Sequence, residues 1–116
     1  MATEAEHRKQ AEHNRTFLNA IDKKAFPDWW VTVAFYSAVH LIEAFLARQT
    51  PRPHSGSHTR RNNILKRQYD ALWREYRPLY AFSRLARYRC YSVQPEHLTY
   101  VERRLGRLED ALRKMV

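Results

Sequence analysis

Between residues 29 and 47 the chain carries a single formal charge, Glu43, in the run WWVTVAFYSAVHLIEAFLA. Wound at 3.6 residues per turn, this run is apolar nearly all the way round, so a helix formed here has no wholly polar face. It is too long, and too poor in β-branched residues, for a strand. Tyr36, Ser37, His40 and Glu43 interrupt it too often for a bilayer span. What remains is the centre of a helical bundle or an interface between two copies. The other segments must then supply the helices that cover it.

Five prolines, at positions 27, 51, 53, 78 and 95, divide the chain into blocks. Proline fits the first turn of a helix and disrupts its interior, so each marks an expected boundary. Helix 1 is expected over residues 3–24, opened by a capping box of Thr3 and Glu6. His7, Ala11, Asn14, Phe17, Leu18 and Ile21 mark its inner face, and its first two turns are weakly apolar and free to protrude. Helix 2 is expected over residues 27–48, followed by a Pro-, Gly- and Ser-containing loop over 49–57. Helix 3 follows over 57–75 with Ile64, Leu65, Tyr69, Leu72 and Trp73 inward, and a short helix 4 over 78–88. Helix 5 begins near Pro95, where Leu98, Val101, Leu105, Leu108, Leu112 and Met115 form a seam spaced for packing on another helix. No run alternates with period two. The expectation is one all-α domain over residues 1–116, a bundle of four to five helices, paired as a homodimer through helix 2 or helix 5.

Charge narrows the partners. Lys and Arg total 21 against 12 acids, a net charge of +9, and Arg outnumbers Lys heavily. A planar guanidinium suits phosphate, so RNA, a nucleotide or an acidic protein is the expected partner. A hydrophobic content of 44% excludes a disordered chain. Cys90 stands alone, so no intrachain disulfide forms, and the first fifteen residues hold no apolar stretch. Together these predict a cytoplasmic protein with no membrane segment.

Three groups of residues can carry chemistry. Tyr36, His40 and Glu43 share one side of helix 2. His40 there is either a hydrogen-bonded core imidazole or an acid/base group oriented by Tyr36 or Glu43. Arg84, Arg87 and Tyr88 share a face of helix 4, where the arginines either pair with Glu43 or Asp28 or form an anion pocket. His54, His58, Arg60 and Arg61 lie in HSGSHTRR at the opening of helix 3, where free N–H groups favour phosphate. A zinc site from His54 and His58 with Cys90 or His97 lacks a second tight ligand pair. No motif around Cys90 supports thiol catalysis. No metal or cofactor is expected. On helix 5, Arg103, Arg104, Arg107, Arg113 and Lys114 interleave with Glu102, Glu109 and Asp110, as on a solvated face.

The ordered set DWWVTVAFYSAVHLIEAFL, HSGSHTRR and SRLARY resembles short stand-alone prokaryotic members of the HEPN superfamily, over about residues 11–112. The resemblance implies a bundle of four or five helices, often a homodimer. It also implies RNA or nucleotide handling, in many members as metal-independent ribonucleases of toxin or defence type. Members without the ribonuclease signature bind nucleotides or RNA, or pair with a nucleotidyltransferase; toxin-type members pair with an antitoxin. The signature is Arg, four to six residues, then His, near the start of the last long helix. Here Arg89 and His97 have seven residues between them. Cleavage would proceed by attack of a ribose 2′-hydroxyl on the adjacent phosphate. His40, His54 or His58 would move the proton, Arg60, Arg61, Arg84 and Arg87 would hold phosphate, and Tyr36, Glu43 and Tyr88 would support them.

Overall fold

A computed structural model describes residues 2–53 and 55–114. Within these the chain forms five helices and no strand: α1 Glu4–Ala20, α2 Pro27–Ala47, α3 His58–Gln68, α4 Asp70–Tyr88 and α5 Pro95–Lys114. The central position falls to α2, which packs against α1, α4 and α5, while α3 lies on α4. Twelve of its 21 residues are buried, Val31, Ala34, Phe35, Ala38 and Ile42 completely. By length and composition α2 is apolar enough to cross a bilayer, and 67% of its most apolar window is buried against the other helices.

Local chemistry sets the helix ends. Thr3 and Glu6 form the capping box at α1, each side chain bonded to the other's backbone N–H at 3.1 and 3.0 Å. Pro27 and Pro95 each occupy the first position of their helices, where a missing N–H costs nothing. Past the C-terminus of α4, Cys90 adopts φ 50, and the Tyr91 N–H reaches back to the Leu85 carbonyl. A left-handed residue in that place is the usual helix stop, normally glycine.

The sequence expectations fail at three boundaries and on one inner face. α1 stops at Ala20, not at residue 24, because the Asp22 carboxylate accepts the N–H groups of Lys24 and Ala25 and closes a turn. The expected helix over 57–75 breaks at Tyr69, whose φ of −137° and ψ of 58° leave the helical region. There the ring packs edge-on against Phe45 at 5.0 Å, tying the break to α2. Pro78 opens no helix. It lies inside α4, which runs unbroken through it. Phe17, expected inward, is 57% exposed. Nor do the first turns of α1 protrude: His7 meets His40, and Glu4 pairs with Arg48 at 3.7 Å.

The seam of α5 is consumed within the chain. Leu98, Val101, Leu105, Leu108 and Leu112 are all buried, against α2 and α4; Met115 lies outside the described residues. The apolar faces of α2 and α5 that motivated a homodimer are therefore covered by one chain's own helices. The large aromatics left exposed near the α1–α2 turn are Phe17, Phe26 and Trp29.

Candidate phosphate-binding cleft

Phe35, fully buried in the middle of α2, is the floor of the site. Its ring centroid lies 5.5–5.9 Å from those of Tyr36, His58, Tyr76 and Tyr80, with the Arg87 guanidinium at 5.4 Å. Above it opens a cleft of about 330 Å³ lined by His58, Tyr80, Arg84, Arg87 and Tyr88. Three elements meet here: α2 supplies the floor, the first residue of α3 supplies His58, and the second half of α4 supplies the rest.

Neither arginine of the SRLARY segment pairs with Glu43 or Asp28, as had been one expectation. Arg87 donates to the Tyr36 hydroxyl at 2.8 Å and to the Ser83 carbonyl at 3.3 Å. It also lies 4.9 Å from the Tyr88 ring centroid and 5.5 Å from that of Tyr36. Arg84 donates to the Tyr80 hydroxyl at 3.0 Å and faces the Tyr80 ring. No carboxylate lies within ion-pair distance of either among the described residues. Aromatic faces and hydroxyls stabilise these cations without neutralising them. Each guanidinium has five N–H donors; Arg84 uses one of them here and Arg87 three, its Nη1 also reaching the Tyr88 hydroxyl at 3.5 Å, so both keep donors for a ligand.

Glu43 instead pairs with Arg61. Its Oε1 lies 2.7 Å from Arg61 Nε, both side chains being about 10% exposed. The Ser55 hydroxyl donates to the two carboxylate oxygens at 2.9 and 2.8 Å. Arg61 is thus turned inward, and its Nη1 lies 3.0 Å from His58 Nδ1. Burial, then the charges of Arg61, Arg87 and Arg84, hold the His58 imidazole below its ordinary range. Tyr76, buried beneath, has its hydroxyl pushed up to about 12, chiefly by burial.

The remaining candidates lie elsewhere. His40 is half-buried and meets His7 Nδ1-to-Nδ1 at 3.0 Å, not Tyr36 or Glu43. Burial, then His7 and Arg61, hold His40 low, while Glu43 opposes them. Arg60 is exposed and does not line the cleft; its backbone N–H is capped by the Ser57 hydroxyl at 3.2 Å. His54 lies outside the described residues. Among the described residues no three His, Cys, Asp or Glu side chains cluster as metal ligands.

Tyr80 and Ser55 were missed. With α4 taken to begin at Pro78, the face Tyr76–Tyr80–Arg84 was cut, although its i, i+4, i+8 spacing is plain once the helix starts at Asp70. Ser55 carried no signal, since a serine in a polar loop shows nothing of a buried carboxylate twelve residues back.

A larger cavity of about 560 Å³ lies among α1, α2 and α5, bordered by Arg8, Leu41, Phe45, Arg48, Leu112 and Arg113. Each of its arginines has a carboxylate within ion-pair distance: Arg8 and Arg48 share Glu4, and Arg113 reaches Asp110 at 3.3 Å. The smaller cleft is where, among the described residues, the arginines have no carboxylate partner, and that decides between the two. Compared with protein-family models, with curated proteins and with solved structures, this chain matches none.

Proposed function

We propose that this protein is a HEPN-like module that binds RNA through the α2–α3–α4 cleft. The observation that carries this reading is the pair Arg84 and Arg87, held among Tyr36, Tyr80 and Tyr88 with no carboxylate partner among the described residues. A guanidinium pair clamps a phosphate. Tyr88 is 67% and Tyr36 38% exposed, and exposed phenol rings are platforms on which unpaired bases stack, for roughly 1–3 kcal/mol each. Phosphate clamp and stacking surface side by side suit a single strand better than a duplex, whose bases are already stacked. The net charge of +9 supports the approach of such a strand.

Cleavage by 2′-hydroxyl attack needs, in addition, a proton acceptor beside the clamp. Among the described residues the imidazole of the cleft, His58, has its Nδ1 committed to Arg61, and His40 is engaged with His7 outside the cleft. The geometry favours binding over catalysis. The test is affinity for a single-stranded oligoribonucleotide across salt concentrations. Expected is a negative log–log slope, to which each phosphate neutralised contributes roughly −0.7. A flat salt dependence, or no binding at low salt, removes RNA as the ligand.

A further inference from the structure

Arginine fixes the direction of the hydrogen bonds around the cleft, because a guanidinium donates and never accepts. Arg61 Nη1 lies 3.0 Å from His58 Nδ1. Nδ1 is therefore the acceptor, and the neutral ring carries its proton on Nε2. The same logic applies to the phenols. The Tyr36 and Tyr80 hydroxyls accept from Arg87 and Arg84 at 2.8 and 3.0 Å. Neither donates to a protein acceptor among the described residues, so each keeps its own proton to give. Arg61 is in turn held by the buried Glu43 carboxylate, which Ser55 also secures.

We infer that Arg61, anchored on Glu43, is a positioning residue that fixes His58 as a neutral Nε2–H donor, making the cleft an all-donor cradle for a fully ionised phosphate oxygen. The ligand class rests on the RNA-binding reading; the role of Arg61 rests on the geometry alone. In this state His58 gives one hydrogen bond and adds no charge. It does not take a proton from a 2′-hydroxyl, because Nε2 is protonated and Nδ1 is engaged.

Burial and the three arginines around His58 favour its neutral form. Arg61 comes from its own helix, Tyr80, Arg84, Arg87 and Tyr88 from α4, and the Phe35 ring from α2, with Glu43 behind Arg61. Protonation would turn a second N–H against the Arg61 guanidinium, within a group of three arginines. Phosphate recognition is then nearly independent of pH around neutrality.

The experiment is nitrogen-15 NMR of the histidine side chains in the full chain, read without RNA. It is followed by affinity for a single-stranded oligouridylate at several pH values between roughly 6 and 8, the range in which an ordinary imidazole titrates. Expected in the wild type are a protonated Nε2, an unprotonated Nδ1 and an affinity that changes less than about twofold over that range. The double variant Glu43→Met/Arg61→Met removes the buried pair together, which leaves no orphaned charge. In it the His58 midpoint should rise toward the ordinary value of about 6.5, and binding should strengthen several-fold as pH falls. Arg61→Lys, which keeps a donor, should restore the wild-type tautomer. A wild-type His58 protonated on Nδ1, or a double variant with unchanged tautomer and midpoint, overturns the assignment of Arg61. The wild-type spectrum decides this without any variant. The expected tautomer without oligouridylate binding contradicts the RNA reading and leaves Arg61 in its positioning role.

Discussion

Arg87 Nη1 lies 2.8 Å from the Tyr36 hydroxyl, a hydrogen bond that joins the last turn of α4 to the middle of α2 across 51 residues. It orients a guanidinium that no acid among the described residues neutralises. The paired arginine of the site, Arg61, is instead turned into the core and sets the protonation of its neighbour. Two arginines 26 positions apart thus have opposite duties, and their substitution should have opposite signatures.

Removing the partner of Arg61 should be costly. Glu43→Ala leaves a guanidinium in a site where both side chains are about 10% exposed. Breaking such a pair from one side costs about 3–5 kcal/mol, on the order of 10 °C or more in melting temperature for a domain of this size. Thermal denaturation followed by circular dichroism checks it. A shift of only a degree or two would mean that water reaches the pair.

Acidification should destabilise the fold. His40 and His58 are both held below their ordinary range, mainly by burial. In the unfolded chain they take up a proton near pH 6.5, in the folded chain only at lower pH. Within that window the unfolded state binds more protons, so stability falls as pH falls through it. The loss levels off once the folded imidazoles are also protonated. Melting temperatures from pH 8 to 5 should show this decline, and it should be smaller in a His40→Gln variant.

Cys90 holds a left-handed conformation at φ 50 without being glycine. That conformation costs an L-residue roughly 1–2 kcal/mol, against roughly 0.5–1 for the added freedom of glycine in the unfolded chain. Cys90→Gly should therefore stabilise the protein by roughly 0.5–1 kcal/mol, read as a modest rise in denaturation midpoint. A fall would mean that the thiol makes a contact of its own.

Much of the architecture was legible in the sequence because a few rules acted without competition. Pro27 and Pro95 sit at helix starts, and the seam from Leu98 to Leu112 is a buried stripe. The same proline rule failed at Pro78, where packing of α4 on α2 and α5 outweighs the lost hydrogen bond. Helical spacing placed Arg84, Arg87 and Tyr88 together correctly. It also placed Tyr36, His40 and Glu43 on one side of α2, but sharing a side is not sharing a contact. Those three turn to Arg87, His7 and Arg61 respectively, each on a different helix. The Glu43–Arg61 pair closes across a loop, and no local pattern encodes which basic residue of HTRR turns inward.

Arg87→Ala, with melting temperature and RNA affinity measured on the same preparation, tests the cleft most directly. Among the described residues Arg87 has no carboxylate partner, and Tyr36, 38% exposed, can return its hydroxyl to water. Truncation therefore orphans no buried charge and should cost about 1 kcal/mol or less, a shift of a few degrees. Losing charge-assisted bonds to phosphate, worth roughly 1.5–3 kcal/mol, should weaken RNA binding about tenfold or more and flatten its salt slope by roughly 0.7. A melting temperature close to wild type with strongly weakened binding is the predicted result. A large loss of stability would make Arg87 part of the scaffold, and a stable variant that binds RNA undiminished would contradict the cleft as the binding site.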